Sequence, residues 1–470
     1  MLFTSPAFIF LFLPLAMLFY CLFGKKRKKL SIGIICATYY VFLNMNSPEH
    51  LIWIPLLIIF AFFAGELCAQ KRSRVIAVIL GTVPIVWLVV MRQLAYYEGS
   101  SIYPIGITMP SVCAAAYVFD SAKRNLEGEK ISKIKGFFDL WLYLSFFPIM
   151  ILGPFLRFER FISLVDGGRL NLSLFRCASG MRLFAVGFIK RIAVGAVFME
   201  GYAKIFAYSW DVQNLVVVFF LLMLLYFGVF FTVSGYYDMS VGLCKMLGME
   251  IDEVSANPLG VATVGEYSLS LFGNIREWTG RYVITPICES MGRSSGDFLR
   301  ISILCVCTVL FIRTDVTALA LSIPLIVFCW ASSKLKLEKA HRGGRTGIRM
   351  LFGILTLLVI GTFWFFLTVG GAPTQLIDKI SLENAEYQLD MILISFSLGK
   401  YLFVSLVGIA VVLPRCRCTK RLYGRMSSKL KAFWDWGAMI LLLMTFVFAV
   451  AFFLPSFEQY NYKMFDYIII

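Results

Sequence analysis

Three charged residues in the segment LFGNIREWTGRYVITPI, residues 271–287, have the types and spacing of a ligand site or a buried ion pair. Guanidinium groups form paired hydrogen bonds with phosphate and carboxylate oxygens, so Arg276 and Arg281 could together hold an anion. Glu277 precedes Arg281 by four residues, the order and spacing at which a helix brings opposite charges together. The segment therefore predicts either a ligand site or an ion pair on one helix face.

Two isolated carboxylates lie in the stretch 237–295, which is too polar for a lipid-facing span and too apolar for a solvated loop. Asp238 occurs in SGYYDMS and Glu266 occurs in VGEYS. Such a stretch is tolerated at membrane depth only where protein or a water-filled cavity surrounds it, so we expect it inside a helix bundle. Each carboxylate has two interpretations: a weak base or proton carrier, or a structural group hydrogen-bonded to neighbouring helix ends.

Histidine, the usual base near neutral pH, is almost absent from the chain. The sequence holds two histidines, His50 in the NSPEH loop and His341 in the AHRGGR loop, and both fall between predicted membrane spans. The 12 cysteines include no repeated C-x2-C pair with the spacing of a zinc site, so no metal is predicted. A general base would therefore have to be a group other than histidine.

The composition places these residues in a membrane protein. Hydrophobic residues make up 59% of the 470 residues and charged residues only 15%, against about 25% in soluble domains. Apolar runs of roughly 20 residues recur along the chain and predict an all-α polytopic membrane protein with about 11–13 spans. The predicted spans are 6–24, 31–46, 51–69, 75–93, 103–121, 136–156, 182–206, 214–236, 296–312, 316–333, 350–370, 389–413 and 433–455.

Lysine and arginine cluster in short segments between these spans and give the chain a net charge of +16. Such clusters mark cytoplasmic loops, which predicts a multi-pass plasma-membrane protein, in contact with membrane lipid, with its N-terminus and C-terminus outside and no nucleic-acid partner. Lys190 and Arg191 fall at the interior or edge of a span and are expected to snorkel toward the cytoplasm, with a functional role as the alternative. The basic loops are 25–29, 70–74, 123–135, 334–345 and 415–431.

Several stretches resemble, in order and spacing, the membrane-bound O-acyltransferase (MBOAT) family, particularly its alginate O-acetylation and teichoic-acid D-alanylation branch. The resemblance implies an MBOAT-type helix bundle around a central tunnel that joins a cytoplasmic acyl donor to an extracytoplasmic acceptor. It implies no tightly bound cofactor and a donor such as acetyl-CoA or an acyl-carrier thioester. The stretches include YPIGITMPSVCAAAYVFD at 103–120, SFFPIMILGPFLRFERF at 145–161, VSGYYDMSVGLCKMLGMEI at 233–251 and IGTFWFFLTVGGAPTQLIDKI at 360–380.

The resemblance also gives an organisation for the chain. We expect one multi-span membrane domain over 1–470, with N-terminal helices in 1–135, an MBOAT-like core in 136–333, and C-terminal helices and an outer tail in 334–470. Within the core, 157–181 alternates apolar and charged residues at helical spacing, which predicts an interfacial or re-entrant helix. No repeat of fixed period is visible, so an inverted-repeat transporter gains no support.

The resemblance departs from the family at the histidines that assist acyl transfer. One family histidine, in RRWHIS, falls on Phe272, and the other, in LWHG, falls near Ile312. Asp238 and Glu266 are the candidate replacement bases. The C-terminal FDYIII resembles the acyl-carrying tail of the family and makes Tyr467 the candidate acyl relay, with a place in the interfacial aromatic belt as the alternative.

The segment 271–287 also departs from the family pattern. Gly280 and Arg281 stand where the family has arginine and aspartate. The family alignment makes Arg276, Glu277, Trp278 and Arg281 candidate tunnel or ligand residues.

Three functions are compatible with these features. The first is participation in acyl transfer to a cell-envelope polymer or exported glycan, with an acyl-carrier protein, an extracytoplasmic acyltransferase or a small membrane protein as partner. The second is a catalytically inactive scaffold that binds an acyl donor, a lipid-linked glycan or a protein. The third is a transporter or flippase, which trails because the intramembrane acids are few. The missing histidines leave enzymatic activity open, and the sequence does not specify donor, acceptor, partner or oligomeric state.

Overall fold

The computed structural model describes much of the first 334 residues and parts of the remainder. Every regular element in that part of the chain is a helix, which confirms the predicted all-α class. The described residues are 3–24, 27–71, 73–98, 103–104, 106–124, 133–167, 174–209, 215–251, 273, 275–290, 297–312, 314, 316–334, 358–363, 430, 440, 442–444 and 446–447.

The N-terminal part of the described chain, up to residue 167, contains eight α-helices. A π-helical turn, Phe8–Phe12, leads into the first of them, and a 3-10 turn, Pro48–Ile52, leads into the third. The eight are α1 Leu13–Phe23, α2 Lys28–Leu43, α3 Trp53–Lys71, α4 Arg74–Glu98, α5 Thr108–Arg124, α6 Lys133–Leu144, α7 Phe147–Met150 and α8 Phe158–Gly167.

The second group of helices contains two π-helical turns, Lys190–Gly195 and Gly280–Ile284. The first joins α9 to α10 without a break, and the second follows a helical turn at 275–279 and leads into α12. The group consists of α9 Leu174–Ile189, α10 Ala196–Ser209, α11 Leu215–Met246, α12 Thr285–Ser290, α13 Asp297–Ile312 and α14 Val316–Lys334.

Three helical stretches among the described residues are long and apolar enough to cross a bilayer: Pro48–Lys71, Arg74–Ala95 and Val218–Met246. Apolar side chains such as Phe63 and Val75 are exposed on two of them, as expected for surfaces that face lipid. The third stretch is mostly buried inside the protein. The total of 11–13 spans and the central tunnel stay predictions.

The region predicted to form an interfacial or re-entrant helix contains α8, which is strongly amphipathic. Phe158, Phe161 and Val165 are buried along one face, and Glu159 and Asp166 are exposed on the other. Lys29 at the start of α2 contacts both Asp139 and Asp166, at 2.8 and 3.0 Å, and so fastens α8 beside α6. The amphipathic helix agrees with the prediction, and its depth in the membrane stays a prediction.

Helix α11 is longer than the predicted span, which ended at residue 236. It continues through the polar sequence to Met246, a total of 32 residues. The prediction treated the polar residues as a break, but their side chains bond to other parts of the protein. Ser240 donates to the carbonyl of Pro148, and Asp238 contacts Lys190. Polarity that would be costly toward lipid is tolerated because partners are supplied inside the bundle.

Glycines bring α9 and α11 into close contact. A Cβ added to Gly187 would lie 2.5 Å from the carbonyl oxygen of Gly235, and one added to Gly180 would lie 2.7 Å from that of Gly242. On each helix the two glycines are seven residues apart, so both contacts lie on one continuous face. Small residues of this kind let helix backbones approach closely within a membrane.

Candidate functional site

A buried ion pair joins α11 to the π turn after α9. Lys190 Nζ lies 2.7 Å from Asp238 Oδ2, and the side chains of Lys190 and Asp238 are only 1% and 5% exposed. The expectation that Lys190 snorkels toward the cytoplasm is therefore wrong. A carboxylate at hydrogen-bond distance compensates the charge in place, so the ammonium group has no need to reach water.

The neighbouring Arg191 is also buried, with 2% of its surface exposed, and the expectation that it snorkels is wrong too. Its guanidinium carbon lies 5.5 Å from the centre of the Tyr236 ring, within the range of a cation–π interaction. Both basic residues begin the π turn Lys190–Gly195, which inserts one extra residue per turn into the helix. The charges are thereby held against α11.

The π turn also changes the spacing of the glycine contacts. Gly195 follows Gly187 by eight residues instead of seven, and a Cβ added to Gly195 would lie 2.7 Å from Thr232 Oγ1 on α11. An extra residue in the turn keeps the small residue on the contact face after the helix widens. Asp238 and Lys190 therefore lie in the middle of a tightly packed helix pair.

A separate open cavity of about 630 Å³ is lined by residues of the charged segment 271–287. Most of its lining comes from Gly273 and from one side of the helical residues 275–285, where lining residues recur every three or four positions. Asp120 at the end of α5 and Arg157 before α8 complete it. The lining residues are Asp120, Arg157, Gly273, Arg276, Glu277, Gly280, Arg281 and Thr285.

Asp120 is the buried anchor of this cavity. Its Oδ2 accepts a hydrogen bond of 2.8 Å from the hydroxyl of Tyr282 and one of 3.3 Å from Nε of Arg157. Arg157 also contacts Glu159 at 3.3 Å. Burial lowers the pKa of the Arg157 guanidinium and the neighbouring Asp120 and Glu159 raise it, with a net increase, so this group stays charged.

Sequence reasoning missed Asp120, Arg157 and Tyr282 as site residues. A signal for the first two was present, because each lies in a stretch that resembles a family motif: YPIGITMPSVCAAAYVFD ends at Asp120, and SFFPIMILGPFLRFERF contains Arg157. What the sequence did not reveal is that the two motifs meet, together with Tyr282, around one carboxylate.

Aromatic contacts hold the cavity segment against α5. Trp278 donates from Nε1 to the carbonyl of Val112 at 3.1 Å. The ring of Tyr282 stacks on Phe119 with centroids 5.6 Å apart and lies 5.7 Å from Trp278. Trp278 is absent from the cavity lining, so the structure gives this predicted tunnel or ligand residue a positioning role.

The ion pair considered for Glu277 and Arg281 does not form. No salt bridge within 4 Å joins them in the described part of the chain, and both side chains are exposed at the cavity together with Arg276. The reason is local geometry. The π turn starts at Gly280, between the two residues, and changes the angular spacing that an α-helix would give them. The ligand-site interpretation of this segment stays a prediction.

No protein-family model matches the chain. It is 23% identical over 295 residues to a probable alginate O-acetylase AlgI of Pseudomonas fluorescens, and 22% identical over 316 residues to one of Pseudomonas aeruginosa. It is 24% identical over 337 residues to a peptidoglycan O-acetyltransferase of Helicobacter pylori. The chain is an MBOAT-like membrane protein.

The matches cover only part of each protein. They take in 60%, 62% and 61% of this MBOAT-like chain, and 56%, 58% and 62% of the three relatives in the same order. The chain thus spans less than two thirds of the length of these relatives. The activities in their names are those of the relatives.

Several residues predicted for this MBOAT-like site lie outside the described residues. They are Glu266, Tyr467 and Phe272, which takes the position of a family histidine; His341, predicted to lie in a loop and not in the site, is outside the described residues as well. His50 is described and is buried in the turn Pro48–Ile52, where its carbonyl accepts a hydrogen bond of 2.7 Å from the hydroxyl of Tyr40. This contact uses the backbone of His50 and is a structural one.

The position aligned with the second family histidine lies at the end of α13, which finishes at Ile312. Two residues in the last third of α4 form hydrogen bonds with backbone carbonyls at this helix end. Arg92 donates from Nη1 to the carbonyl of Phe311, and Gln93 donates from Nε2 to the carbonyl of Thr314 at 2.6 Å. A cation near the final carbonyls of a helix is stabilising, so Arg92 acts as a C-terminal cap.

Two further predictions concern metal binding and Asp238. No group of three or more potential metal ligands occurs within the described ranges, where the search was made. Asp238 is hydrogen-bonded, as its structural interpretation required, and Lys190 is one of its partners. It does not line the cavity, so its role as a replacement base stays a prediction.

Proposed function

We propose that this chain takes part in acyl transfer from a cytoplasmic donor to an extracytoplasmic cell-envelope polymer or glycan. The observation that carries the proposal is its similarity, over about 60% of its length, to proteins named as O-acetyltransferases of alginate and peptidoglycan. Both named acceptors are polysaccharide-containing polymers with free hydroxyl groups. We therefore propose that the acceptor atom is a hydroxyl oxygen of such a polymer.

The position of the cavity supports entry of the donor from the cytoplasmic side. Asp120 lies four residues before the end of α5, and the basic segment 123–135 that follows is predicted to be cytoplasmic. A soluble donor such as acetyl-CoA or an acyl-carrier thioester would meet the protein on that side. An open cavity of about 630 Å³ has room for part of such a molecule.

The group that would move the proton remains a proposal. Glu266 and Tyr467 are the candidate base and acyl relay, and Asp238 is a weaker candidate because Lys190 holds its carboxylate. A relay through Tyr467 would pass the acyl group as an ester from the donor thioester to the tyrosine oxygen, with release of the donor thiol, and then to the acceptor hydroxyl.

The alternative function is a catalytically inactive MBOAT-like scaffold that binds an acyl donor, a lipid-linked glycan or a protein. The replacement of both family histidines, by Phe272 and near Ile312, favours it. In that case donor binding would persist while no acyl group moves.

A labelling experiment separates the two functions. The purified protein in lipid nanodiscs is incubated with acetyl-CoA, and separately with an acetylated acyl-carrier protein, carrying a labelled acetyl group, and the label is located by mass spectrometry. Label on Tyr467 or on a co-purifying partner supports acyl transfer, and its loss in Tyr467→Phe supports the relay. Donor binding without any covalent label supports the scaffold.

A further inference from the structure

The cavity carries more positive than negative charge. Arg157, Arg276 and Arg281 face Asp120 and Glu277, which leaves one net positive charge. The charges of Asp120 and Arg157 compensate each other, and Arg157 forms a second salt bridge with Glu159, which does not line the cavity. The excess charge therefore resides on the exposed helical stretch, where Arg276 and Arg281 have no carboxylate within 4 Å among the described residues.

Two glycines keep the cavity open beside these arginines. A Cβ added to Gly273 or to Gly280 would meet no atom within 4 Å, and neither glycine has a positive φ. In contrast, Gly187 and Gly235 are packed against backbone atoms of the neighbouring helix. Gly273 and Gly280 thus serve neither close helix packing nor a special turn, and what they provide is space.

The base of the cavity is fixed before any ligand arrives. Tyr282 and Arg157 hold Asp120, while Trp278 and Tyr282 hold the arginine-bearing stretch against α5. Because these contacts restrict the backbone between Arg276 and Arg281, the two guanidinium groups project from a preorganised support. Preorganisation lowers the entropic cost of ligand binding.

We propose that this cavity is an anion site in which Arg276 and Arg281 bind a phosphate group beside the space left by Gly280. Guanidinium groups match the geometry of phosphate oxygens and form charge-assisted hydrogen bonds with them. A phosphate monoester or a diphosphate has the charge to bind both arginines.

Two sources could supply this phosphate: the nucleotide or phosphopantetheine part of an acyl donor, or the headgroup of an anionic lipid. The assignment to the acyl donor rests on the proposed function, whereas the phosphate site itself does not. The full chain in nanodiscs of neutral phosphatidylcholine is titrated with CoA and with inorganic phosphate by calorimetry. A parallel series measures retention of phosphatidylglycerol during purification from mixed vesicles.

Three variants test the site. Arg276→Gln with Arg281→Gln removes the charges, and Gly280→Leu places a side chain in the space where a Cβ meets no atom within 4 Å. Arg300→Gln is the matched control, because Arg300 is exposed on α13 and does not line the cavity. We expect the double variant and Gly280→Leu each to weaken CoA binding by about 10- to 100-fold, the range for a lost charged hydrogen bond, with Arg300→Gln unchanged. Gly280→Ala, a smaller change, replaces Gly280→Leu if the latter does not fold.

The outcomes decide the proposal. Loss of CoA binding in the double and Gly280 variants supports a phosphate site for the donor, and the same loss for phosphatidylglycerol alone supports a phosphate site for lipid. Wild-type protein that binds none of the phosphate probes, or variants that bind them as well as wild type, would overturn it. Phosphate binding without acyl labelling would contradict the proposed function only. Labelling by acetyl-CoA that is unchanged in the double variant at limiting donor concentration would contradict the assignment of the phosphate to the donor.

Discussion

Lys190 Nζ and Asp238 Oδ2 are 2.7 Å apart, in a region where both side chains are almost completely buried. The pair connects the first residue of the π turn after α9 to the C-terminal part of α11, where Asp238 lies between Gly235 and Gly242, two glycines that contact α9. It converts two residues that appear from sequence to be a snorkelling cation and a candidate base into one structural unit. Four predictions follow from this arrangement and from the cavity.

Removing one partner of the pair should be more damaging than removing both. We expect Asp238→Leu alone to destabilise the protein by roughly 3–5 kcal/mol, because the charge of Lys190 is then buried without its carboxylate. Lys190→Met combined with Asp238→Leu should recover most of that loss. The measurement is thermal unfolding in detergent, followed by size-exclusion chromatography.

The control for the ion pair is Arg176→Met, since Arg176 and Glu250 form a surface pair at 3.2 Å with side chains 44% and 74% exposed. It should cost about 1 kcal/mol or less because water screens the partly exposed pair. A double variant at Lys190 and Asp238 that is no more stable than the single Asp238 variant would show that the two side chains contribute independently.

The close contact of α9 and α11 should not accept a side chain at Gly187. In Gly187→Ala the new Cβ would lie 2.5 Å from the Gly235 carbonyl oxygen, so the helices must separate. We expect a loss of about 1–3 kcal/mol, the range for overpacked cores. Gly280→Ala, whose Cβ meets nothing within 4 Å, is the matched control and should leave the melting temperature unchanged or slightly raised. Equal melting temperatures for the two variants would contradict this view of the helix interface.

Tyr282→Phe should loosen the cavity segment. Among the described residues, the hydroxyl of Tyr282 is one of two donors to the buried Asp120, and its removal leaves Arg157 as the donor in that part of the chain. We expect a cost of about 1–3 kcal/mol and faster cleavage of the stretch 275–290 by added protease. Glu289→Gln, at an exposed position of the same stretch, should leave the cleavage rate as in wild type. An unchanged cleavage rate in Tyr282→Phe would remove Asp120 from the role of anchor.

Arg92→Met should loosen the junction between α13 and α14. The variant loses the hydrogen bond to Phe311 and the contacts of the guanidinium with the Tyr103 and Phe311 rings, at 5.9 and 5.7 Å. We expect a destabilisation of about 1–2 kcal/mol from the lost cap and cation–π contacts. Hydrogen exchange measured by mass spectrometry should increase around residues 309–316. Arg74→Met at the opposite end of α4 is the control, and an equal increase in that variant would contradict the capping role.

The sequence by itself determined the class of the protein and most of the helix positions. Predicted spans such as 296–312 and 316–333 coincide with α13 and α14 almost to the residue, because long apolar runs bounded by charge leave few alternatives. The resemblance to O-acyltransferases was also visible in the sequence, because its motifs are short contiguous stretches. The segment 271–287 could likewise be identified as a candidate site, because charged residues among apolar ones are visible in the sequence alone.

The tertiary structure decided which charges meet. Asp238 and Lys190 are 48 residues apart, and Tyr282 and Asp120 are 162 apart, so neither pair has a local signature. Local spacing indicated instead a pair between Glu277 and Arg281, which the π turn at Gly280 prevents. The physical reason is that a charged side chain among apolar neighbours requires an opposite charge, water or a ligand beside it. The local sequence shows this requirement but does not show which distant residue fulfils it. That residue is brought by the packing of another helix.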